Sequence, residues 1–192
     1  MVIAASTYYR RRGSSNAGPM ELFEALRKRR AVRDFTEQAI PDEVLMKLAY
    51  AARRAPTGGN TPYRRILVVN DRKTIRLIKQ VSPGILGQPT ALIVIFTDLQ
   101  VTRELGKLGN LCATIDAGAA AENVALAATD LNLGACFTKS YSETGVKEIL
   151  NIPDGYRTEV VMQLGYPRKE QPKSMRPRQG ADATYLNRFG RS

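Results

Sequence analysis

Between Thr114 and Leu131 the chain reads TIDAGAAAENVALAATDL, where alanine and glycine outnumber the larger apolar side chains. Alanine is the strongest helix former, so this stretch is expected to be one long helix. The distance between packed helices is set by the side chains at their contact, and methyl groups keep it short. A second helix or a flat ligand can therefore approach this rod closely.

Around it the chain alternates helix-like and strand-like segments. MELFEALRKRR, residues 20–30, spaces Leu22, Phe23 and Leu26 three and four apart, which predicts a helix with one apolar face. IPDEVLMKLAYAARRAP, residues 40–56, is a second helix: Pro41 suits its first turn, Asp42 and Glu43 complement its positive end, and Pro56 stops it. Val44, Leu45, Leu48 and Ala52 form its buried stripe. RILVV (65–69) is a short strand, DRKTIRLIKQV (71–81) a helix, and TALIVIFTD (90–98) a strand with apolar residues on both faces. A strand near 135–137, a helix over 142–150, a turn at 151–155 and a strand over 159–165 follow. The fold class is α+β. Residues 1–19 are a basic extension, 20–167 one domain, and 168–192 a Pro-rich basic arm; 98–113 is read as a short segment walling an open, unselective pocket.

The chain has 192 residues and a net charge of +11, which suggests a polyanionic partner at first sight. The distribution argues otherwise. Residues 1–20 carry +3 and residues 168–192 carry +5, so only +3 remains for the body, and RKRRAVRDF (27–35) alone holds five positive charges there. With 7% aromatic residues and no tryptophan, stacking platforms for bases are scarce, so specific nucleic-acid binding is not expected. There is no histidine, which removes Ser-His-Asp and Cys-His catalysis and histidine-ligated metals. Cys112 and Cys136 are isolated and fit a reducing, cytoplasmic setting. The longest uninterrupted apolar runs are far shorter than the ~20 residues a membrane helix needs.

Neither GxxxxGK[ST] nor a strand-linked GxGxxG occurs, so a nucleotide would have to be held by side chains and helix ends. Arginine forks give charge-assisted, two-pronged hydrogen bonds to phosphate when they converge from separate segments. Two such segments exist, 29–33 and the tail around Lys173 and Arg176.

Helix–RRAVRDF, then APTGGN and an apolar strand, then DAGAAAEN in a helix, NLGACF, and QLGYP with a basic tail follow one another in this order. The series resembles the nitroreductase family of FMN-dependent oxidoreductases over residues 20–178. The resemblance implies a central mixed sheet flanked by helices, an intertwined homodimer with FMN at the subunit interface, NADH or NADPH as hydride donor, and a small electron-poor acceptor.

The same resemblance assigns candidate ligands. Arg29, Arg30 and Arg33 would contact the FMN phosphate and the ring and ribityl edge, with Ala31 standing where the family has serine. Pro56, Thr57, Gly58 and Asn60 would lie along the flavin, Asn60 donating to it; Pro62 replaces the family's glutamine, and its tryptophan is missing. Thr138, Lys139 and Ser140 would offer backbone amides to the flavin N5 edge, and the Lys139 side chain is a candidate substrate contact. Lys173 and Arg176 would complete the phosphate site, Arg178 being spaced equally well. Asp116, Gly118, Ala119 and Asn123 match the family's dimer-forming helix.

A flavin carries hydride chemistry itself, so a chain without histidine can still be an enzyme whose residues position and polarise the cofactor. No catalytic side chain and no metal are expected. The expected activity is ping-pong reduction of nitro compounds or quinones. Flavin destruction, dehalogenation or azoline oxidation on the same scaffold is the alternative, with a basic nucleic-acid-binding protein behind it.

Overall fold

The computed structural model describes residues 20–169, 185 and 187–189. In chain order the elements are α1 (Leu22–Lys28), α2 (Asp42–Arg53), β1 (Arg64–Val69), α3 (Arg72–Gln80), β2 (Ala91–Asp98), α4 (Leu99–Glu104), α5 (Gly109–Asp130), β3 (Gly134–Thr138), α6 (Glu143–Leu150) and β4 (Tyr156–Gly165). The strands run β1-β2-β4-β3, every neighbour antiparallel. A parallel bridge between Ala31 and Ala135 gives the sheet its mixed character.

β2 is buried on both faces, as its sequence predicts, and divides the core in two. Ile93 and Ile95 face Leu45, Leu48 and the α5 alanines, while Leu92 and Val94 face Ile75, Ile78 and Val146 of α3 and α6. The sheet is therefore sandwiched between helix layers. Ala120, Ala121, Ala125 and Ala128 bury their methyls in the first of these cores, and Asn123 Nδ2 donates to Ala51 O of α2 at 3.1 Å, a structural role. By length and composition alone the helical stretch Gly106–Asp130 is long and apolar enough to cross a bilayer, although it contains no long uninterrupted run of large apolar side chains. Alanine's modest hydropathy summed over many residues produces that result.

Two expectations change. The apolar stripe of α1 is not buried within the chain: Leu22, Phe23 and Leu26 are 62%, 83% and 46% exposed, and it is Ala25 that packs inward. Residues 98–113 are largely helical rather than a loop wall. Asp98 Oδ1 accepts from Gln100 N at 3.2 Å and caps α4, and α5 begins at Gly109, earlier than the alanine run suggested.

Candidate functional site

The arginine segment lies along the free edge of β3. Val32 N donates to Ala135 O at 3.0 Å, beside the Ala31–Ala135 bridge. Gly134 makes this approach possible, since a Cβ there would stand 2.6 Å from Val32. The three arginines then differ. Arg29 Nε pairs with Glu122 Oε1 of α5 at 2.8 Å, and Arg30 Nη1 turns back onto the carbonyls of Arg27 (2.7 Å) and Arg29 (2.9 Å). Arg33 is exposed and meets no carboxylate among the described residues. It sits against the Cys136 thiol, whose pKa burial raises and the Arg33 charge partly restores. Lys28 pairs with Glu24 one turn earlier in α1.

The chain between α3 and β2 closes on this edge twice. Gly87 meets the Arg33 backbone so closely that a methyl group would overlap its carbonyl, and Gly84 N donates to Ser140 O at 2.9 Å. Gln163, fully buried on β4, holds both neighbours, its Nε2 donating to Thr138 Oγ1 (2.6 Å) and Gly84 O (3.1 Å). Arg33, residues 84–87 and Thr138–Ser140 thus form one rim. The Ser140 N–H meets no acceptor among the described residues. Lys139 is less free than expected of a substrate contact: its Nζ donates to Thr158 O at 3.1 Å and lies 3.4 Å from the Tyr141 hydroxyl. Beyond β4 the chain returns to the same rim, with Arg168 reaching Asp34 (3.1 Å) and Phe35 O (2.9 Å). Lys173, Arg176 and Arg178 lie outside the described residues.

The stretch Pro56–Asn60 is built separately. Gly59 (φ 62°) and Asn60 (φ 55°) adopt left-handed backbone, which glycine and asparagine tolerate best. Gly58 N donates to Asp116 Oδ2 (2.7 Å) and to the Tyr63 hydroxyl (3.1 Å), and that hydroxyl hydrogen-bonds Asp116 Oδ2. Burial, reinforced by the carboxylate, pushes Tyr63 up to about 12. Arg64 donates to the carbonyls of Ala55 (2.6 Å), Pro56 (3.0 Å), Asp116 (3.2 Å) and Arg53 (3.4 Å), fastening the stretch to α2 and α5. Asn60 remains exposed at the tip.

These two parts do not meet within one chain. Pro56–Asn60 leads into β1, the rim belongs to β3, and these strands are opposite edges of the sheet, three strand spacings or about 14 Å apart. Tyr63, Arg64, Gln163, Gly84 and Gly87 were not foreseen as supports. The Pro-Gly turn in SPGILGQP and a glutamine inside EVVMQLG were the available signals.

The profile of the Nitroreductase family matches residues 26–106 and 78–166, which together take in every element from α2 to β4. The chain belongs to the nitroreductase family. It is thereby an oxidoreductase. A nitroreductase family protein of Clostridium novyi NT is 30% identical, with 80% of this chain covering 88% of that one at a TM-score of 0.70. An Archaeoglobus fulgidus protein named for NADH dehydrogenase or NAD(P)H nitroreductase activity is 29% identical over 157 residues, 79% of this chain and 88% of its own. In fold, this nitroreductase-family chain also resembles an FMN-dependent nitroreductase of Clostridium difficile R20291, with a TM-score of 0.74, 24% identity, and coverage of 86% and 98%.

Proposed function

We propose that this nitroreductase-family protein is a homodimeric, FMN-dependent NAD(P)H oxidoreductase that reduces small electron-poor acceptors such as nitro compounds and quinones. One observation carries the reading: groups suited to a single flavin are built firmly, yet on opposite edges of one sheet. A second copy of the chain would bring the Pro56–Asn60 tip of one protomer to the Arg33 rim of the other.

The residues present fit the cofactor. A phosphate calls for charge-assisted donors, and Arg33 has no carboxylate partner among the described residues while the Nη groups of Arg29 meet no acceptor there. A flavin edge calls for neutral donors, and the unpaired Ser140 N–H and exposed Asn60 amide supply them. Bound FMN would supply the redox chemistry, accepting hydride from the nicotinamide in one half-reaction and passing two electrons to the acceptor in the next. Arg33 and the Nη groups of Arg29 would offset the phosphate charge, with the basic tail after Arg168 as a further source. Ser140 N–H would stabilise negative charge developing on the neighbouring ring edge. Lys139, occupied by Thr158 O, would hold the rim rather than touch substrate.

The test is purification followed by complementation. The protein should be yellow, release FMN on denaturation, and bleach with NADH or NADPH in the absence of oxygen. Arg33→Ala and Asn60→Ala homodimers should both lose flavin. Co-expressing the two chains should restore one intact site per heterodimer. A colourless protein that FMN cannot reconstitute overturns the flavin, and failed complementation overturns the shared site.

A further inference from the structure

The loop stretch APTGGN is bracketed by two arginine pairs, Arg53-Arg54 and Arg64-Arg65. All four arginines line one open cavity of about 560 Å³, together with Thr57 and Asn60, and no Asp or Glu lines it. That volume lies within the range typical of small-molecule sites.

The four guanidinium groups are not equivalent. Arg64 is committed to the backbone carbonyls that shape the loop, and Arg65 donates to Pro62 O and, at 3.3 Å, to Asp98 Oδ2. Arg53 and Arg54 at the end of α2 are exposed, and neither side chain has a hydrogen-bond or carboxylate partner among the described residues. Like charges gathered in one cavity repel, and the arrangement is stabilised when an anion sits between them. Two guanidinium forks without partners among the described residues, with a threonine hydroxyl nearby, are donors suited to an oxyanion.

We infer that this cavity is an oxyanion subsite, taking a phosphate or carboxylate group of a molecule that reacts beside the Pro56–Asn60 tip. The inference rests on the flavin reading above and adds a substrate class to it: negatively charged reactants. Two sources share the chemistry, the phosphates of the nicotinamide dinucleotide and an acidic acceptor.

Inorganic pyrophosphate, titrated calorimetrically into the full chain, is the direct probe. The double variant Arg53→Ala/Arg54→Ala should bind it about tenfold or more weakly, and Arg53→Lys/Arg54→Lys should recover part of the loss. Lys73→Ala/Arg76→Ala on the exposed face of α3 removes the same charge and should leave binding intact. In steady-state assays the double alanine variant should raise one KM selectively. A rise for NADPH but not for 4-nitrobenzoate identifies the dinucleotide as the source, and the reverse identifies the acceptor; nitrobenzene is the uncharged control. Unchanged pyrophosphate binding, an equal loss in the α3 variant, or KM values that move in neither arm overturns the subsite. A colourless chain that still binds pyrophosphate through Arg53 and Arg54 would sink the flavin reading and leave the subsite standing.

Discussion

Gly87 lies against the backbone of Arg33 with no room for a side chain between them. This contact, far apart in sequence, fixes where Arg33, the arginine of the 29–33 segment whose side chain has neither a carboxylate nor a backbone-carbonyl partner among the described residues, stands relative to Ser140. Gly87→Ala should therefore push the segment off the rim. The expected cost is about 1–3 kcal/mol, as for other overpacked sites, with faster loss of flavin. Thermal unfolding and the flavin remaining after dialysis would measure the two effects, and unchanged values in both would show that the rim yields freely.

The arginines of RKRRAVRDF should behave unequally. Arg33→Ala should weaken flavin retention about tenfold or more, because it removes a charge-assisted fork. Lys28→Ala removes only a surface ion pair with Glu24 and should change retention by less than about threefold. Fluorescence titration of the apoprotein with FMN distinguishes them; equal losses would return the whole stretch to generic surface charge.

Tyr63 makes stability sensitive to alkali. Its folded pKa is raised from 10 to about 12, so the folded protein retains a proton that the unfolded chain gives up. The contribution is fully present below pH 10 and is lost as pH rises through about 12. Tyr63→Phe should cost about 1–2 kcal/mol near neutral pH through the lost bonds to Asp116 and Gly58. It should also make the decline between pH 10 and 12 shallower, with Tyr141, likewise raised to about 12, keeping the remainder. Urea denaturation across that window is the measurement.

Arg64 is a strut whose guanidinium reaches four carbonyls from two places in the chain, residues 53–56 and Asp116. An ammonium on a flexible stem cannot reproduce that fork, so Arg64→Lys should destabilise the protein by about 1–3 kcal/mol. Hydrogen exchange at Gly58 N–H should accelerate, because the stretch it anchors would loosen. Unaltered protection there would mean that Tyr63 and Asp116 suffice.

Most elements were legible because their signals are local. The spacing in IPDEVLMKLAYAARR, the continuous apolar run ALIVIF and the alanine density of α5 each act within one or two turns of chain, and the helices and strands appear where those patterns put them. The same locality explains the misses. The stripe Leu22, Phe23 and Leu26 predicts an apolar face but not its partner, and in the single chain that face meets solvent. The start of α4 depends on one aspartate cap, a signal easily lost in a segment read for its brevity.

The sequence by itself determined the α+β alternation, the basic segment, the absence of histidine chemistry and the order of motifs that marks the family. Only the tertiary structure decided which charges are available. Glu122 takes the Nε of Arg29, backbone carbonyls take Arg30 and Arg64, and Thr158 takes Lys139, whereas Arg33, Arg53 and Arg54 keep their charges without a carboxylate partner among the described residues. An arginine's role depends on which oxygen comes within about 3 Å of it, and residues distant in sequence bring that oxygen. The strand order is of the same kind: it alone places Asn60 and Ser140 on opposite edges of one sheet.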